Sequence, residues 1–283
     1  MNPFAQARRV AFQGTAGAYS HLACRETFPT LEAVAQASFE DAFAAVREGD
    51  VDLAMIPIEN SVAGRVADIH TLMPQGNLHI VGETFLRVNH QLLAPHGTRL
   101  GDLTHVHSHE QALGQCRRYL HSRGLQPVVH ADTAGAARMV AAERRPGHGA
   151  IASILAAEIY ALDVIDSDVE DAEHNTTRFV ILADEPWLPP LDVGPCVTTF
   201  VFRVRNVPAA LYKGLGGFAT NGVNMTKLES YVEADFNQAR FYADVIGHPS
   251  ETPLANALEE LGFFSDELRV LGTYPAHAFR GLT

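Results

Sequence analysis

Short apolar runs alternate with amphipathic helical patterns from Arg9 to Leu182, and this alternation constrains the fold more than any other feature of the sequence. Strands that alternate with helices predict an α/β fold with a mostly parallel sheet. The predicted strands are Arg9–Phe12, Ala33–Ala37, Leu53–Ile58, Gln91–Ala94, Val128–His130, Gly149–Ile151 and Phe179–Leu182. The predicted helices are Ser20–Phe28, Phe39–Glu48, Glu110–Ser122 and Thr133–Arg144. Ligands of such sheets bind at the carboxyl ends of strands, so polar residues there are the first candidates for a site.

A proline-rich segment ends this pattern. Residues 186–190 hold three prolines in five positions, which prevents regular structure. The elements predicted beyond it follow the order βαββαβ, which is the ferredoxin-like arrangement. They are Val197–Arg205, Pro208–Asn221, Met225–Glu233, Arg240–Ile246, Pro253–Leu261 and Leu268–Leu271. The sequence therefore predicts a first domain at residues 1–185, a linker at 186–195 and a ferredoxin-like domain at 196–283.

Charge and composition limit the partners of this chain. The formal net charge of −12 argues against nucleic acid, whose phosphates would be repelled. No apolar run approaches the roughly 20 residues that span a bilayer, and the segment before the first strand is too short for a signal peptide. The cysteines, Cys24, Cys116 and Cys196, lack metal-ligand spacing and are expected to be reduced. We expect a cytoplasmic protein without a membrane partner.

A polar cluster, Asn175-Thr176-Thr177-Arg178, runs directly into the apolar strand that begins at Phe179. Such a junction places a hydroxyl and a guanidinium at the mouth of a sheet. Another polar cluster, Glu59-Asn60-Ser61, ends the strand that begins at Leu53. The alternative for this second cluster is that Asn60 or Ser61 caps a following helix.

Three further segments carry candidate site residues. Gln13–Ser20 places two glycines and a helix start after the first strand, which favours an anion but also suits a plain turn. Ser108–Cys116 opens a helix, and Ser153 is either a ligand contact or a cap. His105, His107 and His109 alternate, so a strand would direct them to one face and invite a zinc site. No carboxylate or cysteine completes a ligand set, so we predict no metal, with Ser108 as the helix N-cap.

Four of these segments resemble the signatures of the prephenate dehydratase family, in the family's order. They are Gly17-Ala18-Tyr19-Ser20, Pro57-Ile58-Glu59-Asn60-Ser61, the segment from Ser108 to Cys116, and Asn175-Thr176-Thr177-Arg178-Phe179. The resemblance implies a two-lobed catalytic domain like a periplasmic binding protein, followed by a regulatory ACT domain. Lobe 1 would comprise residues 1–76 and 164–183, and lobe 2 residues 77–163. The implied reaction converts prephenate to phenylpyruvate, carbon dioxide and water without a cofactor.

The resemblance also implies roles for individual residues. Thr177 would assist loss of the hydroxyl group, and Glu59 would act either as an acid whose pKa is raised by burial or as an organiser of Asn60. Arg178 would bind a substrate carboxylate, or else form a salt bridge at the strand edge. The implied substrate-binding residues are Thr15, Ala18, Tyr19, Ser20, Asn60, Ser61, Gln111, Ser153, Arg178 and Phe179.

Two segments of the ferredoxin-like domain resemble the effector-binding segments of phenylalanine-sensing ACT domains. The effector-binding residues implied are Ala209, Ala210, Leu211, Asn224, Leu228, Glu229 and Ser230. The family usually has glycine where Ala209 stands and Arg-Pro where Tyr231-Val232 stands. L-phenylalanine is therefore the implied effector, and an altered effector or none is the alternative. Such domains pair across chains, so we expect a homodimer or homotetramer.

Two other functions compete with this interpretation. Arogenate dehydratase acts on the amino-acid analogue of prephenate, and the segments Gly17–Ser20 and Asp132–Ala137 look like those of plant enzymes with that preference. A cytoplasmic amino-acid sensor would have a binding cleft and an ACT domain without catalysis. Such a sensor would not need to keep Thr177 together with Glu59 and Asn60.

Overall fold

The computed structural model describes residues 2–66, 72–74, 76–172, 174–232 and 239–282. Its strands are β1 (Arg9–Gln13), β2 (Glu32–Gln36), β3 (Leu53–Asn60), β4 (Gly64–Arg65), β5 (His79–Arg87), β6 (Gln91–Pro95), β7 (His105–Ser108), β8 (Gln126–Val129), β9 (His148–Ala152), β10 (Leu162–Asp166), β11 (Thr176–Ala183), β12 (Cys196–Val204), β13 (Met225–Val232), β14 (Ala239–Ile246) and β15 (Ser265–Pro275). Its helices are α1 (Tyr19–Thr27), α2 (Phe39–Arg47), α3 (Glu110–Gln115), α4 (Arg117–Ser122), α5 (Thr133–Glu143), α6 (Ile154–Tyr160), α7 (Ala210–Thr220) and α8 (Thr252–Phe264). Among the described residues, no helix is long and apolar enough to cross a membrane.

The first sheet has the strand order β2-β1-β3-β11-β5, and β4 pairs with the end of β3. β1 lies parallel to both β2 and β3. Residues 53–56 and 58 on β3 are buried, as expected for a strand covered on both faces. The backbone N–H of Ser61 donates to the carbonyl of Thr176 at 2.9 Å, so the end of β3 adjoins the start of β11. This junction brings the two polar clusters of the sequence together.

The second sheet has the strand order β10-β6-β9-β7-β8. Adjacent residues of β6 contribute to different hydrophobic clusters, because successive side chains of a strand point to opposite faces. Leu92 packs with Ala112, Leu113 and Leu120, so α3 and α4 cover one face. Leu93 packs in a cluster with residues 136, 137, 140, 156 and 157, so α5 and α6 cover the other.

One predicted helix in this part is wrong in its limits. The predicted helix Glu110–Ser122 is divided into α3 and α4, because Cys116 leaves helical backbone geometry at φ −112° and ψ 18°. The lobe limits stay a prediction, and the strands near them are assigned to sheets as follows. β5 begins at His79 but lies in the first sheet, and β10 continues past residue 164 but lies in the second. Neither strand was predicted, since Gly82-Glu83 and the charged ends of β10 interrupt the apolar runs.

The chain divides into two compact units. One comprises Arg8–Val66 and Thr84–Phe179, and it contains the second sheet with β1 to β4. The other comprises Met1–Ala7, Ala67–Glu83 and Val180–Thr283, and it contains the C-terminal domain. Cys24, Cys116 and Cys196 are all free and buried.

The C-terminal domain has the predicted βαββαβ order and an antiparallel sheet in the order β13-β14-β12-β15. Its core joins Phe200 and Phe202 of β12 to Phe218 of α7 and to Leu254 and Leu261 of α8. The predicted strand Met225–Glu233 is β13, although Glu233 itself lies outside the described residues. α7 begins later than predicted, because Ala209 has a left-handed backbone with φ 63°.

Candidate active site and effector segments

Asn60, the last residue of β3, has a side-chain amide whose orientation is fixed by the backbone. Its Oδ1 accepts hydrogen bonds from the N–H groups of Val62 at 2.9 Å and Ala63 at 2.7 Å. Backbone N–H groups can only donate, so the other end of the amide must be the NH2 group. That Nδ2 donates to Asn175 Oδ1 at 2.8 Å and to Thr177 Oγ1 at 2.9 Å. Thr177 therefore accepts from Asn60 and keeps its own hydroxyl hydrogen for another acceptor.

The hydrogen bonds continue from Asn175 to residues of the second sheet and of α1. Asn175 Nδ2 donates to Gln115 Oε1 at 3.1 Å, and the same oxygen lies 2.8 Å from His90 Nε2. His90 Nδ1 lies 2.6 Å from the hydroxyl oxygen of Tyr19. We call these six residues, Tyr19, His90, Gln115, Asn175, Asn60 and Thr177, the Tyr19–Thr177 chain. All six lie in one compact unit.

The middle of the Tyr19–Thr177 chain is buried. His90 is 2% exposed and Asn175 is 1% exposed, so each depends on these hydrogen bonds for its polar atoms. Burial lowers the pKa of His90, against smaller opposing effects of the Gln115 hydrogen bond and the Glu170 carboxylate. Burial, with Cys116 and Glu170 nearby, raises the pKa of Tyr19 well above its ordinary value. Both side chains are therefore neutral at neutral pH.

A cavity of ≈ 380 Å³ opens beside the chain. Its volume lies within the range of small-molecule sites, roughly 300–1,000 Å³. Gln115 and Asn175 line it from the chain, and the exposed side chain of Gln111 lines it from the first turn of α3. The other lining residues are Val62, Ala63, Gly114, Glu170, Asp171 and Ala172.

The glycine-containing loop after β1 serves packing. Gly17 has φ 87°, and a Cβ added there would lie 2.9 Å from the Cα of Ala156 on α6. Ser153 Oγ donates to the carbonyl of Gly17 at 2.5 Å and accepts from the N–H of Ala156, so Ser153 caps α6. Thr15 Oγ1 donates to Asp132 at 3.3 Å. Of the alternatives for Ser153, the structure shows the cap.

The other predicted site residues take no part in the hydrogen bonds of the chain. Strand alternation directs Glu59 to the face of β3 opposite Asn60, and Arg178 to the face of β11 opposite Thr177. Phe179 is 1% exposed and belongs to the core. Ser61 Oγ donates to the carbonyl of residue 174 and accepts from the N–H of residue 176, so it joins β3 to β11. Ala18 and Ser20 flank Tyr19 at the start of α1.

Three residues of the chain, His90, Gln115 and Asn175, were not predicted. Gln115 lies one helical turn after Gln111, and this spacing could have identified it, since residues four apart share a helix face. Asn175 stands within the recognised segment before β11. His90 stands between two strands, and no sequence signal singled it out.

The alternating histidines form a cluster away from this chain. His107 Nε2 lies 2.8 Å from His148 Nδ1, and the rings of His105 and His148 stack with centroids 4.9 Å apart. His109 instead caps α3 by accepting from the N–H of Gln111 at 3.2 Å, so the predicted cap at Ser108 is wrong. Ser108 Oγ instead donates to the buried carbonyl of residue 151. No group of potential metal ligands occurs among the described residues.

The implied effector residues lie on β13 and around the start of α7. Glu229 is held by its neighbours on one face of β13: Lys227 Nζ and Tyr231 Oη donate to its two carboxylate oxygens, each at 2.6 Å. Tyr231, which stands where the family usually has arginine, is thus a hydrogen-bond partner of Glu229. Ser230 and Leu228 point to the exposed face of the same strand. Asn224 precedes β13, and Ala210 and Leu211 open α7.

Ala209 carries backbone strain that a glycine would remove. Left-handed geometry costs an alanine about 1–2 kcal/mol. Glycine removes that cost, but it also raises the entropy of the unfolded chain, which lowers stability by about 0.4–1 kcal/mol. We therefore expect Ala209→Gly to raise the free energy of unfolding by about 0.5–1 kcal/mol. Ala210→Gly is the matched control, because Ala210 is helical and should lose about 1 kcal/mol. Chemical denaturation measures both; equal losses would contradict the assignment of strain to Ala209.

A buried ion pair joins β5 to the C-terminal end of the chain. Arg280 Nε and Nη2 donate to the two carboxylate oxygens of Glu83 at 2.6 and 2.8 Å. Arg280 Nη2 also lies 4.0 Å from Asp244, and Nη1 lies 3.5 Å from Thr226 Oγ1. The side chains of Glu83 and Asp244 are fully buried, and that of Arg280 is 13% exposed. We call Glu83, Arg280 and Asp244 the C-terminal ion cluster.

Comparison with known proteins places this geometry in a family. The prephenate dehydratase family model matches residues 10–186, which contain every member of the Tyr19–Thr177 chain. The chain belongs to the prephenate dehydratase family. Two relatives and one solved structure are similar to this chain over most of its length.

A bifunctional N-acyl-homoserine lactone acylase/prephenate dehydratase of Komagataeibacter europaeus is 51% identical over 96% of this chain and 98% of its own. The chloroplastic arogenate dehydratase/prephenate dehydratase 2 of Arabidopsis thaliana is 41% identical over 94% of this chain and 72% of its own. The crystal structure of a prephenate dehydratase from Arthrobacter aurescens in complex with L-Phe matches with a TM-score of 0.89 and 29% identity. It covers 97% of this chain and 92% of the other. The similarity to these proteins therefore extends into the C-terminal domain.

Proposed function

We propose that this protein converts prephenate to phenylpyruvate, carbon dioxide and water. The observation that carries this proposal is the Asn60–Thr177 hydrogen bond, which leaves the Thr177 hydroxyl able to donate. Hydroxide is a poor leaving group, so a donor at the breaking C–O bond lowers the barrier. The relative from Komagataeibacter europaeus, whose name includes prephenate dehydratase, supports prephenate as the substrate.

The proposed reaction breaks two bonds and makes an aromatic ring. Electrons of the bond to the departing carboxylate flow into the ring and expel the hydroxyl group. The departing hydroxide takes up a proton from solvent and leaves as water. Thr177 donates a hydrogen bond to the departing oxygen, and Asn60 withdraws electron density from Thr177 Oγ1 and strengthens that donation. We assign Gln111 to a substrate carboxylate, with Thr15, Ala18, Tyr19 and Ser20 along the wall. We assign Glu59 to organising the end of β3.

We propose L-phenylalanine as the effector of the C-terminal domain and a homodimer or homotetramer as the working form. The solved relative from Arthrobacter aurescens was crystallised with L-Phe, which supports the effector. β13 lies at an end of its sheet and exposes Leu228 and Val232, which supports pairing with a second copy. A thermal shift on adding millimolar L-phenylalanine, compared with D-phenylalanine, tests the effector.

Steady-state kinetics with purified prephenate and with purified arogenate tests which of the two compounds is the preferred substrate. Prephenate turnover yields phenylpyruvate, which absorbs under alkali, and arogenate turnover yields phenylalanine. We expect kcat/KM for prephenate to exceed that for arogenate. A preference for arogenate of about tenfold or more would transfer the assignment to arogenate dehydratase. Turnover of neither would leave a sensor as the better account.

A second candidate function comes from the same relative, whose name also includes N-acyl-homoserine lactone acylase and whose sequence is 51% identical. Acylase activity would release a fatty acid and homoserine lactone. Incubation with a long-chain N-acyl-homoserine lactone, with fatty acid measured by mass spectrometry, tests this candidate. Release that survives Thr177→Val would place the acylase chemistry on other residues than the dehydration.

A further inference from the structure

We propose that His90 is a positioning residue for the reaction: its Nε2–H anchors the Tyr19–Thr177 chain at the end opposite the backbone N–H groups that orient Asn60. The consequence is that Asn175 and Asn60 are held in the positions from which Thr177 presents its hydroxyl hydrogen, rather than a lone pair, to the substrate. The kinetic part of this inference rests on the proposed dehydratase function. Its structural part, the protonation pattern of His90, does not.

The direction of the chain is set at one end by the backbone. Val62 and Ala63 donate to Asn60 Oδ1, so Asn60 must offer its NH2 group to Asn175 and Thr177. Asn175 then faces Asn60 with Oδ1 and must face Gln115 with Nδ2. The atom of Gln115 that receives this bond is therefore Oε1.

His90 closes this pattern from the other side. Because Gln115 Oε1 lies 2.8 Å from His90 Nε2, that nitrogen must carry a hydrogen. His90 Nδ1 is then bare, and it accepts from the Tyr19 hydroxyl at 2.6 Å. The Tyr19 hydroxyl shares its one hydrogen with the carbonyl of Asn89, which accepts at 3.1 Å and is the more distant of the two acceptors.

The opposite tautomer of His90 would place two acceptors in contact. A bare Nε2 would face Gln115 Oε1, and turning Gln115 would bring its NH2 group against the NH2 group of Asn175. Turning Asn175 would move the conflict to Asn60, which is held by two backbone N–H groups. No combination of amide flips removes the mismatched pair, so only one tautomer of a neutral His90 satisfies every hydrogen bond of the chain.

The chain orients Thr177 and does not conduct protons to it. Gln115, Asn175 and Asn60 are amides, which do not exchange protons along a row at neutral pH. The role of His90 is therefore orientation, and it is exerted through three intervening side chains. Loss of one hydrogen bond that leaves a buried partner unsatisfied corresponds to a rate effect of about tenfold to a hundredfold.

The first test determines the tautomer of His90 by nuclear magnetic resonance. The full chain is labelled with ¹⁵N-histidine, and its imidazole signals are recorded at neutral pH. The His90 signals are identified among the 14 histidines by their loss in His90→Gln. His248 is an internal reference for the Nε2–H form, because its Nδ1 accepts from the N–H of Ser250 and its Nε2 faces the carbonyl of Pro189. We expect the Nε2–H form for His90; an Nδ1–H form or an imidazolium would overturn the inference.

The second test separates orientation from simple packing. His90→Leu removes both nitrogens and should lower kcat about tenfold to a hundredfold, with KM within about threefold of the parent. His90→Gln places an amide N–H near the position of Nε2 and should recover most of kcat. A Leu variant as active as the parent, or a Gln variant no better than Leu, would overturn the role.

The outcomes remain separable if one variant or one proposal fails. If His90→Leu does not fold, the kinetics of the Gln variant and the imidazole signals of the parent still test the role of His90. If the parent turns over neither prephenate nor arogenate, the proposed function fails. The tautomer measurement then still tests whether His90 carries the Nε2 hydrogen that anchors the chain.

Discussion

Thr177→Val is expected to lower kcat for prephenate by about 10²–10⁴-fold, the range that general acid assistance contributes. Valine keeps the branched shape that suits β11 and removes only the hydroxyl. KM should change little, because the hydroxyl acts on the breaking C–O bond more than on the bound ground state. Steady-state kinetics at saturating prephenate measures this result.

The neighbouring residue provides the matched control. Thr176→Val makes the same chemical change one position earlier, where strand alternation directs the side chain to the other face. Its kcat should stay within about threefold of the parent. Thr177→Val also leaves Asn60 Nδ2 with one acceptor fewer, which should cost about 1–3 kcal/mol of stability, so unfolding is measured in parallel. Near-normal turnover in Thr177→Val would remove Thr177 from the mechanism.

Arg280→Leu is expected to have the largest effect on stability. The substitution removes the guanidinium of Arg280 from the buried carboxylates of Glu83 and Asp244, and breaking a buried pair costs about 3–5 kcal/mol. For a chain of this size such a loss lowers Tm by roughly 5–15 °C. Differential scanning calorimetry measures it.

An exposed ion pair of the same domain serves as control. Arg205 lies 3.9 Å from Asp266, with side chains 58% and 44% exposed, so Arg205→Leu should cost about 0–1 kcal/mol. Glu83→Gln in the Arg280→Leu background should recover part of the lost stability, since a neutral amide needs no counter-ion. Equal Tm values for Arg280→Leu and Arg205→Leu would show that the C-terminal ion cluster contributes nothing.

The fold could be predicted where apolar periodicity was long. The βαββαβ order of the C-terminal domain and the strands β1, β3, β6 and β9 follow from such runs. β5 and β10 were missed because polar residues interrupt them, and their burial depends on neighbouring strands that local periodicity does not reveal. The left-handed geometry of Ala209 was likewise hidden, since alanine gives no signal for a positive φ.

The site could be predicted only at its ends. Asn60 and Thr177 follow or open strands, where the fold rule expects ligands, and the structure joins them by a hydrogen bond. Arg178 and Phe179 share the segment of Thr177, but a strand sends neighbours to opposite faces or into the core. His90 lies 71 positions from Tyr19 in the sequence, and their contact exists only after both sheets have formed.

The Asn60-Ser61 junction has a consequence for how the protein ages. Asparagine deamidates when the backbone nitrogen of the next residue attacks its side-chain carbonyl carbon. Here the Ser61 nitrogen donates to the Thr176 carbonyl, and the Asn60 amide is held by two further N–H groups. Conversion to aspartate would replace the NH2 group that faces Thr177 with an oxygen. The hydrogen bonds that align the Thr177 hydroxyl thus also protect the Asn60 amide from deamidation. Loss of activity on storage should therefore follow the rate at which the β3–β11 junction opens.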